Sequence, residues 1–285
     1  MFVKRIERIF AVYFMHKNFS TILAVLILVL SLASCSKFRK IQKSDDWRVK
    51  YKAAFDYYEE EDYYRASLLL EEVLPIIRGT EEAEKAQFYY AYSLFYQKSQ
   101  YLLASHYFKD FYDTYSRSEY AEESLFMHAY SLYLQSPPYN LDQTSTFEAI
   151  QAIQGFLNRF PYSSYKEQAN DIIDQLQVKL EKKDYENAKQ YYKLQILKAA
   201  VEAFENFQQD FPDSNYNEEI GYLLIKAEYE LAQQSIRSKQ NERYNKVVEY
   251  YLDYIDKYDR SQYLREAEKI YEDTLEQLSQ LASSK

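Results

Sequence analysis

The sequence predicts an all-α protein, an α-solenoid of about five helix-turn-helix repeats, and three observations carry that expectation. Breakers are scarce: 285 residues hold 3 Gly and 5 Pro, too few for turn-rich β architectures, which need Gly, Pro and Asn at corner and φ > 0 positions. One turn recurs four times as aromatic-x-x-Ser-x-Tyr, in Tyr115-Ser116-Arg117-Ser118-Glu119-Tyr120, Phe160-Pro161-Tyr162-Ser163-Ser164-Tyr165, Phe211-Pro212-Asp213-Ser214-Asn215-Tyr216 and Tyr258-Asp259-Arg260-Ser261-Gln262-Tyr263. Upstream of each copy, apolar residues stand at helical spacing.

The N-terminal segment comes first. Lys4, Arg5, Arg8 and Lys17 precede an unbroken apolar run from Ile22 to Leu30, and Ser31-Leu32-Ala33-Ser34 then lead to Cys35. That run is far shorter than the ~20 residues of a membrane-spanning helix. A basic region, a short apolar stretch and small residues before a cut describe an export signal over 1–34. Cys35 is the single cysteine of the chain. The layout resembles the bacterial lipoprotein signal, which implies cleavage before Cys35, a diacylglycerol on its thiol and acylation of the new amino group. Several acyl chains anchor a protein stably where one does not. Met15 to Ser34 alone has the full layout, which leaves Met1 and Met15 both open as the start, with 1–14 an extension in the second case. Ser36 follows the cysteine, and by the same resemblance a residue other than Asp there permits sorting to the outer membrane.

Cleavage would remove four basic and one acidic side chain, taking the formal charge from −9 to −12. A net-acidic surface argues against nucleic acid as a partner, because that binding depends on neutralising phosphates with Lys and Arg. It argues equally against polybasic adhesion to anionic lipid. Residues 35–46, with Lys37, Arg39, Lys40 and Lys43, form a polar lipidated tether, able to reach some tens of ångströms at about 3.3 Å per extended residue.

The repeats occupy 47–285. Seven and four residues before each aligned aromatic stand Phe108 and Phe111, Ile153 and Phe156, Phe204 and Phe207, Tyr251 and Tyr254; eleven before it stand Ala104, Ala149, Ala200 and Val247. A weaker first copy has Ala66, Leu70, Val73 and Ile77, with Thr80 in the serine place. Offsets of four and three put these side chains on one helix face, with the small residue where a neighbouring helix crosses closely. Pro or Ser after the last aromatic ends that helix, and the serine three places on can cap the next. The repeats fall at about 47–83, 84–121, 122–168, 169–217 and 218–266, followed by a terminal helix. Ala91-Tyr92-Ser93-Leu94-Phe95-Tyr96-Gln97 recurs as Ala129-Tyr130-Ser131-Leu132-Tyr133-Leu134-Gln135, so the second and third repeats share a first helix. The third then carries an extended loop at Pro137-Pro138. The fourth opens on a long helix, about Tyr165 to Lys193.

A small residue followed by large apolar residues four and seven places on, then a turn, resembles the second half of the tetratricopeptide consensus. Tyr63-x-x-Ala66, Tyr101-x-x-Ala104 and Tyr244-x-x-Val247 supply the aromatic that opens its second helix. In such solenoids the first helices line the concave side. That register gives Tyr51, Phe55 and Tyr58 in the first repeat and Tyr89, Ser93 and Tyr96 in the second as peptide-binding candidates. Tyrosine suits such a surface because its ring offers area at small entropic cost and its hydroxyl reads main chain. Most of the 33 tyrosines are expected instead to fill the wedges between helices, ring buried and hydroxyl wet.

Enzyme chemistry finds little support. Gly79, Gly155 and Gly221 are scattered, so no phosphate-cradling loop exists, and one Cys with three His (His16, His106, His128) builds no zinc cluster. No cofactor, metal site or catalytic residue is expected. The 44 Asp and Glu read as solvated faces, with a carboxylate hydrolase acting on envelope glycans as the enzyme alternative.

The lipoprotein signal, the short basic tether and about five tetratricopeptide-like repeats are together similar to the BamD family, the lipoprotein subunit of the outer-membrane β-barrel assembly machinery. The stretch that carries the similarity best is Tyr185-x-x-Ala188-x-x-Tyr191-Tyr192, Ala199-Ala200-x-x-Ala203-Phe204 and Phe211-Pro212-Asp213-Ser214. Lys193-Leu194-Gln195-Ile196 departs from the family, whose members often have a basic residue and Gly there. The resemblance implies a scaffold without enzymatic activity, anchored in the outer membrane and facing the periplasm. Its N-terminal repeats would bind the C-terminal segment of unfolded outer-membrane protein precursors, and its C-terminal repeats would dock on the periplasmic domains of the barrel insertase. The alternative is another tetratricopeptide-repeat envelope lipoprotein, such as a glycan-binding partner of an importer or a cell-envelope scaffold.

Overall fold

The computed structural model describes residues 37–283; the signal, both candidate start residues and Cys35 lie outside the described residues. Among the described residues there is no strand. From Trp47 onward the helices are α1 (Trp47–Glu59), α2 (Tyr63–Val73), α3 (Glu81–Tyr96), α4 (Tyr101–Thr114), α5 (Ala121–Gln135), α6 (Thr144–Arg159), α7 (Lys166–Lys193), α8 (Leu197–Asp210), α9 (Asn217–Gln233), α10 (Arg237–Lys257) and α11 (Leu264–Ser283). The described residues divide into two compact units, one running to Gln135 and including Gln151–Lys166, the other made of Ser136–Ile150 and the chain from Glu167 onward.

In unit 1, α1 packs on α2, α2 on α3, α3 on α4 and α4 on α5, and α1 also meets α3. In unit 2, α8 packs on α9, α9 on α10 and α10 on α11, and α9 also meets α11. Contacts between alternate helices are what stacking of helix pairs produces, and the fold is the all-α solenoid of tetratricopeptide-like repeats that the sequence predicts.

The repeated offsets are the core. Ala104, Ala149, Ala200 and Val247 are all fully buried, as are Phe108, Phe111, Ile153, Phe156 and Phe204. The weaker first copy behaves the same way, with Ala66, Leu70 and Val73 fully buried and Ile77 1% exposed. In unit 2, Tyr185 and Ala188 of α7, Ala200, Phe204 and Phe207 of α8, and Ile220, Leu224 and Ala227 of α9 form one cluster.

The four serine turns share one hydrogen-bond pattern. The serine N–H of Ser118, Ser163, Ser214 and Ser261 donates to the carbonyl of the aromatic three places back, at 2.9–3.1 Å. Each serine Oγ then accepts from the N–H two residues on, that of Tyr120, Tyr165, Tyr216 or Tyr263, at 3.0 Å. The hydroxyl therefore caps the turn just ahead of the helix rather than the helix's own N–H groups. Each turn tyrosine stacks on an aromatic of the preceding first helix: Tyr120 on Phe88 at 4.4 Å, Tyr165 on Phe126 at 4.4 Å, Tyr216 on Tyr185 at 4.0 Å and Tyr263 on Tyr222 at 4.8 Å.

The turns inside the repeats are built differently. Asp46 and Asp62 cap α1 and α2 by accepting from Arg48 N and Arg65 N. Glu61, Lys98 and Gln195 take left-handed backbone, φ 60°, 56° and 59°, just after α1, α3 and α7. Gln195 belongs to the tetrapeptide that departs from the BamD pattern, so a side-chain residue here adopts the conformation a Gly takes without strain. The tether is not wholly extended: residues 37–42 are helical. Phe38 meets the Tyr57 ring edge-on at 5.8 Å, and Gln42 donates to Glu72.

Two glycines separate packing from propensity. A Cβ on buried Gly221 of α9 would lie 2.8 Å from the Tyr254 ring, whereas one on Gly155 of α6 meets nothing within 4 Å. Gly221→Ala is expected to lower stability by about 1–3 kcal/mol through overpacking. Gly155→Ala is expected to raise it by about 0.5–1 kcal/mol through helix propensity. Urea unfolding followed by circular dichroism reads both, and equal signs for the two substitutions would contradict this account.

Candidate functional site

The first helices of unit 1 carry a continuous run of aromatic side chains. On α1, Trp47 meets Tyr51 at 6.2 Å and Tyr51 meets Phe55 at 4.8 Å. Phe55 and Tyr58 both reach Tyr89 of α3, at 5.1 and 4.8 Å. Tyr58 lies 6.3 Å from Tyr96, which stacks on Tyr63 at 4.5 Å and on Tyr92 at 5.7 Å. The run continues from Phe95 to Tyr130 of α5 at 6.0 Å and on to Tyr133 at 5.8 Å. Side chains spaced by three and four residues on α1 and α3 necessarily share a face, which is why the register predicts this set.

Five of the six expected residues fall together in this way: Tyr51, Phe55, Tyr58 and Tyr89 are half-buried, and Tyr96 is 43% exposed. Ser93 does not join them. It is fully buried, and its Oγ donates to the Tyr89 carbonyl at 2.7 Å, so its hydroxyl is spent inside the helix. Trp47, Tyr63, Tyr92, Phe95, Tyr130 and Tyr133 extend the face beyond the expected set. The recurrence of Tyr92 as Tyr130, 38 residues later, is the sequence signal that marks two of them.

The face is apolar with polar tips. Burial pushes the Tyr58 hydroxyl far above the ordinary phenol range, with Tyr96, Tyr63 and Tyr89 adding to the shift. Burial and then the Glu123 carboxylate, which accepts its hydrogen bond, do the same to Tyr92. These hydroxyls remain donors at every physiological pH. Lys85 places its ammonium 4.9 Å from the Phe55 ring and 5.6 Å from the Tyr89 ring, a cation at one border of the face.

His128, whose pKa burial lowers, brings Nδ1 to 2.8 Å from Ser105 Oγ and 3.0 Å from the Ser105 carbonyl. A carbonyl can only accept, so Nδ1 carries the proton there and the pair ties α5 to α4. Among the described residues no group of His, Cys, Asp and Glu is placed to hold a metal ion.

Unit 2 holds one residue of a different kind. Glu228 of α9 is 2% exposed, and its Oε1 has no hydrogen-bond partner. The nearest guanidinium nitrogen, Arg243 Nη1, is 3.6 Å away, an ion pair without a hydrogen bond. Burial pushes its carboxyl up to about 7, with Arg243 and Lys246 opposing and Glu205 and Glu242 reinforcing the shift. The sequence signal is a charge on the apolar stripe of α9, four residues after Leu224 and three before Leu231.

Stacked helix pairs of this kind, with a half-buried aromatic face on the first helices, define a helical-repeat protein of the tetratricopeptide type. The chain belongs to the YfiO family of outer membrane lipoproteins, whose family model matches residues 44–244. No curated protein matches it. Among the described residues no helix is long and apolar enough to cross a membrane.

A carboxyl whose pKa rises on folding binds its proton more tightly in the folded chain, so stability falls as pH rises from the unfolded value of 4.5 towards 7. Glu228→Gln removes that charge. The variant is expected to match the parent near pH 4.5 and to exceed it by about 1–3 kcal/mol at pH 8. Thermal midpoints at the two pH values check this, and a difference independent of pH would show that burial does not govern the group.

Proposed function

We propose that this outer-membrane lipoprotein is a BamD-like, non-enzymatic scaffold in β-barrel assembly. The observation that carries the proposal is the aromatic face of α1, α3 and α5. Tyrosine rings give large contact area with two rotatable angles each, and their hydroxyls supply donors to a peptide main chain. Unfolded outer-membrane protein precursors expose apolar and aromatic segments with unpaired backbone, the chemistry this face complements. Tyr51, Phe55, Tyr58, Tyr89 and Tyr96 are its proposed contacts.

Cys35 is the proposed lipid attachment point after removal of 1–34, with 35–46 as the link to repeats at about 47–83, 84–121, 122–168, 169–217 and 218–266. The chain then hangs in the periplasm from the outer membrane, and its C-terminal repeats dock on the periplasmic domains of the barrel insertase. Family membership supports this reading at the level of an outer-membrane lipoprotein; the division of labour between repeats is inferred from the resemblance.

Binding of a labelled C-terminal peptide from an outer-membrane barrel protein tests the face. Tyr58→Ala and Tyr96→Ala are each expected to weaken the dissociation constant about 10- to 30-fold, the loss typical of an interface aromatic. Tyr64→Ala, an exposed residue on α2, is expected to leave it unchanged. Equal loss at all three positions, or no binding by the parent, would refute the peptide site.

Affinity isolation from detergent-solubilised membranes tests the assembly. The parent chain is expected in the membrane fraction with the insertase, and Cys35→Ser in the soluble fraction. Membrane retention of the serine variant would remove the anchor, and recovery of the parent without insertase would remove the partner.

A further inference from the structure

Unit 2 contains a surface cleft of about 370 Å³ lined by α8, α9 and α10. Lys198, Val201, Glu202 and Glu205 come from α8, Glu228 and Leu231 from α9, and Glu242, Arg243 and Lys246 from α10. Four carboxylates therefore face three cations. Two of the carboxylates are engaged elsewhere: Glu205 accepts from Tyr250 at 2.5 Å, and Glu242 accepts from Lys239 at 3.0 Å. Glu228 is the exception, buried to 2%, with Oε1 lacking any donor.

A desolvated carboxylate oxygen without a donor is a costly arrangement, and native structures rarely keep one without a use. The volume far exceeds that of a single water, and Val201 and Leu231 give it an apolar wall. That combination fits a side chain with an apolar stem and a cationic, donor-rich head. We propose that this cleft is a socket for an arginine or lysine side chain of a docked protein segment, with the Glu228 carboxylate as its acceptor. Leu231 and Val201 hold the stem, Glu202 lies at the same opening, and Arg243 is displaced towards solvent as the incoming cation takes its place. An anionic ligand is disfavoured, because it would enter a net-acidic cleft and leave the Glu228 oxygen unsatisfied.

The inference goes beyond the precursor-binding face and does not rest on it, since every residue involved lies in α8, α9 and α10. It also stands whether or not the insertase is the partner.

The test follows the Glu228 side-chain carboxyl by carbon-13 NMR in the full mature chain, with Glu228→Gln assigning the resonance. That variant is expected to fold, since it replaces a buried charge with a neutral group of the same shape. The probe is the capped tripeptide acetyl-glycyl-arginyl-glycinamide, with its neutral citrulline analogue, inorganic phosphate and sodium chloride at equal ionic strength as comparisons. The arginine peptide is expected to move the resonance saturably and to lower the carboxyl's apparent pKa by about one unit or more, as an opposite charge within contact distance does. Binding is expected to be present at pH 8, to weaken at least tenfold at pH 5.5 as Glu228 protonates, and to vanish in Glu228→Gln.

The proposal is overturned if citrulline or phosphate acts as strongly as arginine, or if salt alone reproduces the shift. It is overturned equally if Glu228→Gln binds the peptide unchanged. A carboxyl that titrates in the ordinary range in the unliganded chain would mean that Arg243 already serves it, and would also overturn the socket.

Discussion

The structure depends on one contact made four times: the tyrosine that ends each serine turn lies flat against an aromatic ring on the preceding first helix. A helix pair has no reason of its own to stack on the next pair in a fixed register, because apolar faces slide. The turn removes that freedom at both ends. Its serine N–H and Oγ fix the backbone, and the fixed backbone aims the tyrosine at Phe88, Phe126, Tyr185 or Tyr222. Centroid separations of 4.0–4.8 Å with near-parallel rings are the offset-stacked geometry that aromatic quadrupoles favour.

The same geometry explains why an acidic protein is so rich in tyrosine. A ring buried between helices brings its hydroxyl into a region of low dielectric, where an unpartnered O–H is costly. Carboxylates on neighbouring helices meet that need: Tyr92 donates to Glu123, Tyr185 to Glu219 at 2.6 Å, Tyr192 to Glu230 at 2.6 Å and Tyr250 to Glu205 at 2.5 Å. Part of the excess of Asp and Glu is therefore structural. Lys189 completes one such group by bonding both Tyr185 and Glu219 at 2.6 Å. Glu228 stands apart because it is more deeply buried than any of these carboxylates and has no tyrosine to serve it.

Legibility in the sequence followed locality. The offsets of eleven, seven and four before each turn aromatic, the serine turns and the long α7 all follow from spacing along one helix, and all are present. Aromatic residues on the first helices were legible for the same reason. What escaped depends on partners distant in sequence. Ser93 occupies the right register, but its position is fully buried and its hydroxyl turns back to the Tyr89 carbonyl. The helical segment 37–42 reads as a polar tether until Phe38 finds Tyr57 and Gln42 finds Glu72, some 20 and 30 residues away. Glu228 breaks the apolar stripe of α9 by one position, and only the approach of α8 and α10 makes that position a buried one.

Scarcity of glycine bears on binding as well as on fold class. Three turns within repeats use Glu61, Lys98 and Gln195 in left-handed backbone, at about 1 kcal/mol each against a residue without Cβ. Such turns hold the two helices of a pair at a set angle, and the aromatic face on α1 and α3 inherits that rigidity. Within the face the rings brace one another: Tyr58 touches Tyr63, Tyr89 and Tyr96, and Tyr96 is stacked between Tyr63 and Tyr92. A side chain already confined by its neighbours loses little rotamer freedom on contact, so more of the burial energy survives as affinity. A surface meant only to be covered by solvent gains nothing from such bracing. On the proposed reading, a preorganised row of rings suits ligands that share apolar bulk and unpaired main chain rather than one fixed sequence.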